Sequence, residues 1–283
     1  MTIPLLCTAA GSAIPALGFG TYGMDGQALA RVLPPALEMG LRHIDTAQIY
    51  RNEAAVGDLV RASGLRRSDV FLTTKVWPAN YGKRFDTSLD ESLRHLGTDH
   101  VDLLLLHWPE GSDVPLADQV GALARAQDAG KARMIGVSNF DSARLAAAAS
   151  LSDRPLATNQ VEFHPFLDQR RIHAATRNAG MLLTAYCPLA VGRVFSEPLL
   201  AEIARETGRS IVQIVLRWVL EHEKMAALTR TSRADRLEQY RGLFNFTLGR
   251  DHMAAIATLG VRHERIVNPA GLTPIWDVPG PPQ

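Results

Sequence analysis

Short apolar runs alternate with longer segments of helical periodicity along the whole chain, and this alternation is the feature that most constrains the fold. Strands that alternate with helices are typical of a parallel sheet covered by helices. We place strands at eight positions, each followed by a helix-like segment: Ala16–Gly20, Arg42–Asp45, Val70–Lys75, Asp102–His107, Arg133–Ser138, Thr158–Glu162, Met181–Tyr186 and Ala226–Arg230. Eight such units favour a single closed (β/α)8 barrel of the TIM type, in the α/β class.

The two ends of the chain lie outside this repeat. Leu5–Cys7 and Ser12–Ile14 flank Ala-Ala-Gly, which predicts an N-terminal β-hairpin that closes the barrel floor. After Val261 the chain is proline-rich and aperiodic, and it runs through Trp276-Asp277-Val278-Pro279, which predicts a short C-terminal tail over the barrel. No linker divides residues 1–283, so we expect one domain.

Charge and cysteine content exclude several classes of protein. The 30 basic residues nearly cancel the 29 acidic ones, so no global field favours nucleic acid or an anionic membrane. The two cysteines, Cys7 and Cys187, form no CxxC or Cys/His cluster, so we expect neither a disulfide framework nor a metal site. Met1–Ala10 shows no basic-then-apolar leader, and no apolar run reaches the roughly 18 residues of a membrane span. We expect a cytoplasmic monomer.

One glycine-rich segment indicates an alternative fold. Gly18-Phe19-Gly20-Thr21-Tyr22-Gly23 matches the dinucleotide fingerprint GxGxxG, and Asp45 follows its last glycine by 22 residues, near the usual place of a ribose-binding acid. In a Rossmann-type dehydrogenase the helix begins inside the fingerprint, whereas here Met24-Asp25-Gly26 continue the loop. We keep that dehydrogenase as the alternative and favour a glycine-rich strand end.

Four titratable residues fall at the ends of neighbouring strands. Asp45 ends the second strand, Tyr50 lies in the loop after it, Lys75 ends the third strand and His107 ends the fourth. Because the carboxyl ends of parallel strands share one face of a barrel, we expect these side chains to converge. Each residue alone is commonly structural, but the convergence of four favours a catalytic site.

Carbonyl reduction assigns a role to each of the four. The reaction places hydride on carbon and a proton on an oxygen that becomes negative, so Tyr50 is the candidate proton donor. We expect the Lys75 ammonium to lower the pKa of Tyr50, Asp45 to hold Lys75 protonated, and neutral His107 to donate to the substrate oxygen. No metal is needed. A Schiff-base aldolase acting through Lys75 is an alternative, but its lysine should be desolvated and neutral.

Six segments carry motifs that extend over nearly the whole chain: Asp45–Gly57 (DTAQIYRNEAAVG), Leu72–Trp77 (LTTKVW), Val101–Pro109 (VDLLLLHWP), Ile135–Phe140 (IGVSNF), Asn159–Pro165 (NQVEFHP) and Tyr186–Leu189 (YCPL). Together they resemble the aldo-keto reductase family. Within it, Ala47–Gly57, Tyr186–Arg193 and the ending Arg265–Asp277 look most like the bacterial 2,5-diketo-gluconate reductases, which also reduce methylglyoxal-like dicarbonyls. The resemblance implies that Asp45, Tyr50, Lys75 and His107 form the family's catalytic tetrad. It also implies the barrel fold and an NADP-dependent oxidoreductase.

The resemblance further implies how the chain binds NADPH or NADP+. Ser138, Asn139 and Gln160 would hydrogen-bond the nicotinamide carboxamide, and the ring of Tyr186 would stack on the nicotinamide. The full set of implied cofactor contacts is Thr21, Asp45, Ser138, Asn139, Gln160, Tyr186, Leu189, Arg230, Thr231, Arg236 and Gln239.

The segment Leu228–Arg236 resembles the family's phosphate-binding segment. Arg230 and Thr231 would contact the 2′-phosphate and Arg236 would meet the adenine or the phosphate, although arginines on a polar stretch are also typical of a solvated helix start. Two positions depart from the family: Thr229 replaces the usual proline, and Tyr240 stands where an asparagine often meets the adenine.

In other branches of the family, long C-terminal loops shape pockets for steroids and aromatic compounds. The resemblance and the short tail together imply an open site for small polar carbonyls, such as keto-sugar acids and α-dicarbonyls like methylglyoxal. The candidate substrate contacts are Tyr22, Tyr50, Trp77, His107 and Trp108, whose aromatic members are otherwise typical of core packing. A binding-only protein of the same fold remains the rival from another functional class.

Overall fold

Eight short strands, most of them buried on both faces, close into a parallel barrel. The structure is a computed structural model that describes residues 1–277, and the predicted positions Val278 and Pro279 of the tail lie outside the described residues. The ten strands of the described residues are β1 (Leu5–Cys7), β2 (Ala13–Pro15), β3 (Leu17–Gly20), β4 (His43–Asp45), β5 (Phe71–Val76), β6 (Val101–Leu106), β7 (Ala132–Ser138), β8 (Leu156–Glu162), β9 (Leu182–Tyr186) and β10 (Met225–Thr229). The barrel order is β10-β3-β4-β5-β6-β7-β8-β9, and every pairing in it is parallel. The (β/α)8 prediction is confirmed, with each predicted strand boundary within two residues of the observed one.

Helices follow every barrel strand and cover its outer face. They are α1 (Gly26–Glu38), α2 (Glu53–Ala62), α3 (Phe85–Leu96), α4 (Leu116–Asp128), α5 (Ser142–Leu151), α6 (Arg170–Asn178), α7 (Pro198–Thr207), α8 (Ile211–Glu221) and α9 (Arg250–Thr258). Two helices, α7 and α8, stand between β9 and β10 where one segment was expected. Gly208, in the left-handed conformation, ends α7, and a reciprocal capping box between Ser210 and Gln213 starts α8.

The N-terminal hairpin closes the floor of the barrel, as predicted. β1 and β2 pair antiparallel, with Leu6 opposite Ile14. Ile14 is fully buried and packs with side chains of β6, β7 and β9, among them Leu103, Met134 and Leu182. The interior is therefore a filled core below the mouth, so chemistry is confined to the carboxyl ends of the strands.

Gly18 of the glycine fingerprint serves packing, and the Rossmann alternative is wrong. A Cβ on Gly18 would lie 2.6 Å from Leu228 Cδ2 and 2.8 Å from His43 Nδ1, so glycine is needed for barrel closure. Helix α1 begins only at Gly26, after the fingerprint has ended at Gly23. The sheet is closed, which leaves no crevice of the kind that binds dinucleotides in an open sheet.

The described part of the C-terminal tail is anchored at the barrel mouth. Glu162, the last residue of β8, is fully buried and accepts the backbone N–H groups of Ile266 at 2.8 Å and Val267 at 2.9 Å. Leu272 packs against Gly111, and a Cβ added to Gly111 would lie 2.5 Å from the Cδ2 atom of Leu272. The tail thus reaches from β8 to the loop after β6. Within residues 1–277 no helix is both long and apolar enough to span a bilayer.

Candidate active site

The ends of β4, β5 and β6 bring the four predicted catalytic residues together. Lys75 is fully buried, and its Nζ donates to Asp45 Oδ1 at 2.5 Å and to the Thr46 carbonyl at 2.9 Å. The Tyr50 Oη atom lies 3.5 Å from the same Nζ. His107 follows β6 directly, and its ring centroid is 5.6 Å from that of Tyr50 in an edge-to-face arrangement. The arrangement is a buried ion pair with a phenol and an imidazole beside it.

Burial dominates the protonation of these groups. Burial raises the pKa of Tyr50 well above its ordinary value, and the nearby Asp45 and Tyr22 raise it further. The net shift of the Tyr50 pKa is therefore upward, opposite to the lowering expected from the sequence, because burial outweighs any effect of the Lys75 ammonium. Burial lowers the pKa of Lys75, while the charge and hydrogen bond of Asp45 oppose that effect. This pairing also argues against a Schiff-base aldolase, whose lysine must be neutral.

His107 is uncharged at neutral pH. Burial, with the charge of Lys75 adding to it, holds the pKa of His107 well below its ordinary 6.5. Its Nδ1 atom is buried and has no hydrogen-bond partner within residues 1–277, and its carbonyl accepts the Asn139 amide at 3.0 Å. A buried acceptor without a partner costs less than a buried N–H without one, so this environment favours the tautomer with its proton on Nε2.

A second polar cluster lies at the ends of β7, β8 and β9. Asn139 adopts a left-handed backbone with φ +64°, and its Oδ1 accepts the Tyr186 hydroxyl at 2.8 Å. Its Nδ2 donates to Ser138 Oγ at 3.1 Å. Gln160 Nε2 donates to Asp45 Oδ2 at 2.8 Å, which joins this cluster to the ion pair. The amide groups predicted to meet a nicotinamide therefore lie next to the predicted catalytic residues.

The predicted substrate contacts outside the tetrad are aromatic groups that flank it. Tyr22 is 67% exposed, and its ring meets the ring of Tyr50 edge to face at 5.1 Å. The Trp77 ring lies 5.3 Å from that of His107, and the buried Trp108 ring stacks on His107 at 6.4 Å. The tetrad thus sits between an exposed tyrosine and two tryptophans.

Asn52 is a supporting residue that the sequence reasoning missed. Its Nδ2 donates to the Thr21 carbonyl at 2.9 Å and the Met24 carbonyl at 3.0 Å, and its Oδ1 accepts Thr46 Oγ1 at 2.7 Å. The Thr21 hydroxyl is buried and donates to the Asp45 carbonyl at 3.0 Å. Asn52 therefore ties the loop after β3 to the residue whose carbonyl holds Lys75. An asparagine before α2 signals a helix cap, but its side chain makes no cap here.

The arginines after β10 differ in their partners. The side chains of Arg230 and Arg236 are exposed, and within residues 1–277 no carboxylate lies in ion-pair distance of either. Arg233 instead pairs with Asp235 at 2.5 Å. Two guanidinium groups are thus free to meet an anion. Of the other predicted cofactor contacts, Thr231 is buried, and Gln239 and Leu189 are half-buried.

Comparison with known proteins shows the class that this fold and site define. The aldo/keto reductase family model matches residues 16–260, so the chain belongs to the aldo/keto reductase family, an NAD(P)-dependent oxidoreductase family that reduces carbonyls. It is 38% identical to the methylglyoxal reductase DkgB of Yersinia pestis over 267 residues, which cover 93% of this chain and 99% of that protein.

Solved structures agree with this assignment. A crystal structure provisionally described as 2,5-diketo-D-gluconic acid reductase B is 50% identical, with a TM-score of 0.94 and 98% of both chains covered. An aldo-keto reductase from Bombyx mori, solved in complex with NADP, is 28% identical with a TM-score of 0.89, covering 95% of this chain and 96% of that one.

Proposed function

We propose that this chain reduces small aldehydes and ketones with NADPH, among them keto-sugar acids and α-dicarbonyls such as methylglyoxal, with Tyr50 as the proton donor. The observation that carries the proposal is the buried Asp45–Lys75 ion pair with the Tyr50 hydroxyl 3.5 Å from its ammonium. The names of the relatives, methylglyoxal reductase and diketo-gluconic acid reductase, support the substrate class.

Tyr50 can donate its proton even though burial raises its pKa. The oxygen of a reduced carbonyl is an alkoxide, which is comparable in basicity with hydroxide and much more basic than a phenolate. Burial in the same site raises the basicity of that alkoxide as well, so the transfer from Tyr50 is still favourable. The adjacent Lys75 ammonium stabilises the phenolate that remains, and Asp45 keeps that ammonium charged in a buried site. His107, neutral with its proton on Nε2, supplies a second donor to the same oxygen.

The donor groups around the mouth fit NADPH. When bound, NADPH supplies the hydride. The free guanidinium groups of Arg230 and Arg236 suit a phosphate, because arginine offers a fork of charged donors. Ser138, Asn139 and Gln160 present amide and hydroxyl groups of the kind that pair with a carboxamide. The remaining proposed cofactor contacts are Thr21, Asp45, Tyr186, Leu189, Thr231 and Gln239.

The substrate pocket is proposed to lie between Tyr22, Trp77 and Trp108. Aromatic walls with Tyr50 and His107 at the base suit a small carbonyl compound, with the polar groups fixing the carbonyl oxygen. A binding-only role is the competing proposal, and the presence of all four tetrad residues in contact favours an enzyme.

A panel of carbonyl substrates with NADPH and with NADH tests the proposal. We expect turnover of methylglyoxal and 2,5-diketo-gluconate with NADPH, and little turnover of steroids. NADPH binding without turnover of any carbonyl would contradict the proposed activity and favour the binding-only role. The monomeric, cytoplasmic state stays a prediction, which sedimentation and cell fractionation would test.

A further inference from the structure

The segment after β10 is closed at its base by a hydrogen bond between two buried side chains. Thr229, the last residue of β10, is 1% exposed, and Tyr240 is 2% exposed. The Thr229 Oγ1 donates to the Tyr240 Oη at 2.7 Å, across eleven residues of sequence. We call this pair the Thr–Tyr clasp. It joins the start of the segment to its end.

The clasp encloses the candidate phosphate-binding residues. Arg230 and Thr231 follow Thr229 directly, and the Thr231 hydroxyl accepts the backbone N–H of Arg233 at 3.1 Å. Leu237, near the other end, is buried in the core. The backbone is therefore fixed at its base, at Thr231 and at Leu237, while within residues 1–277 the Arg230 guanidinium makes only a 3.4 Å contact with the Gly23 carbonyl. A fixed backbone with free donors is the arrangement that lowers the cost of binding an anion.

The two clasp residues occupy the positions that depart from the family resemblance. The Tyr240 hydroxyl is turned inward and engaged by Thr229, so it is not available to an adenine ring outside the barrel. Two departures at positions eleven residues apart thus meet in one contact. This suggests that they act together.

We propose that the Thr–Tyr clasp positions Arg230 and Thr231 for the ribose 2′-phosphate and so sets the preference for NADPH over NADH. The proposal rests on the NADPH preference of the proposed function and adds to it the residues that position the phosphate site. Thr229 and Tyr240 are positioning residues, because they act through their neighbours.

Two isosteric substitutions test the clasp. Tyr240→Phe and Thr229→Val each remove one hydroxyl, and dissociation constants for NADPH and NADH are measured by quenching of intrinsic fluorescence. We expect the NADPH constant to rise about five-fold, the usual effect of one lost hydrogen bond, and the NADH constant less than two-fold, because NADH carries no 2′-phosphate. Thr229→Ser keeps the hydroxyl that Thr229→Val removes, and it should bind NADPH as tightly as the parent protein does. The double variant should be no worse than either single one.

Tyr81→Phe is the matched control. The Tyr81 hydroxyl is also buried and donates to the Trp108 carbonyl at 3.0 Å, far from the segment in sequence. We expect its ratio of NADH to NADPH dissociation constants to equal that of the parent protein. If the parent protein binds NADPH more tightly than NADH and Tyr240→Phe keeps the same ratio of dissociation constants, the role of the clasp is overturned while the NADPH preference stands. A parent protein that binds both cofactors equally would overturn the NADPH preference and the clasp together.

Discussion

Tyr50→Phe removes one hydroxyl and leaves the surrounding packing in place. The ring contacts with Tyr22 and His107 do not involve that hydroxyl. Its one polar contact with a described residue is Lys75 Nζ at 3.5 Å, the outer limit of a hydrogen bond. Lys75 keeps its shorter bonds to Asp45 and the backbone. We therefore expect the free energy of unfolding to change by less than about 1 kcal/mol.

The effect on catalysis should be far larger. A positioned general acid contributes about 10²–10⁴-fold to the rate, equivalent to about 3–5 kcal/mol of transition-state stabilisation. The loss should appear in kcat, because the hydroxyl acts on the substrate oxygen. NADPH affinity should be nearly unchanged. Steady-state oxidation of NADPH, followed by its absorbance, measures kcat, and thermal unfolding and fluorescence titration verify folding and cofactor binding.

Lys75→Met tests the same catalytic residues, but it also destabilises the fold. It leaves the buried Asp45 without its cation, a loss that costs about 3–5 kcal/mol of stability. The catalytic defects of Tyr50→Phe and Lys75→Met should not add, because residues that act as one unit lose their joint function when either is removed. A folded Tyr50→Phe protein that binds NADPH and keeps full activity would refute the mechanism.

Three further predictions concern the cofactor, metals and pH. Arg230→Ala should weaken NADPH binding about 10–100-fold and NADH binding much less. Arg233→Ala should change the affinity for either cofactor little, because the Arg233 guanidinium is paired with Asp235. Equal losses of NADPH affinity in the two variants would count against the assignment of Arg230 to the phosphate. Chelators should leave activity intact, because Tyr50 supplies the proton where a metal would polarise the carbonyl; activity lost to a chelator and restored by zinc would contradict this. Burial lowers the pKa of His43 from 6.5 to about 4. As the pH falls, the unfolded chain therefore takes up a proton on His43 before the folded chain does. The free energy of unfolding should fall by about 3 kcal/mol between pH 6.5 and pH 4 because of this residue. His43→Gln should flatten that dependence in urea unfolding at several pH values, and an unchanged slope would exclude His43 as its source.

Most of the fold could be predicted because its signals are local. Leu89, Leu93 and Leu96 recur at helical spacing, and all three are buried in α3. The start of the separate helix α8 is also signalled locally, by Ser210 followed three residues later by Gln213. Strand ends shifted by one or two residues because hydrogen bonds to neighbouring strands, which the sequence does not show, decide where a ladder stops.

The site was predictable only as far as strand ends determine it. The four tetrad residues come together because barrel topology places strand ends on one face. Asn52 and Gln48 could not be found in this way, because their roles depend on distant partners; Gln48 Oε1, for example, accepts the Trp77 backbone N–H at 2.9 Å. The predicted direction of the Tyr50 pKa shift was wrong, because burial, which no short motif reports, raises that pKa and the nearby Asp45 and Tyr22 add to the effect.

The anchoring of the tail by Glu162 has a consequence for how this barrel can change. The carboxylate holds main-chain N–H groups at Ile266 and Val267, which every residue except proline possesses. Attachment of the tail through these bonds is therefore independent of which side chains the two positions carry. Substitutions there can accumulate and alter the rim of the mouth while the tail stays in place. Proline at either position is the one replacement that would take away a link of this anchor.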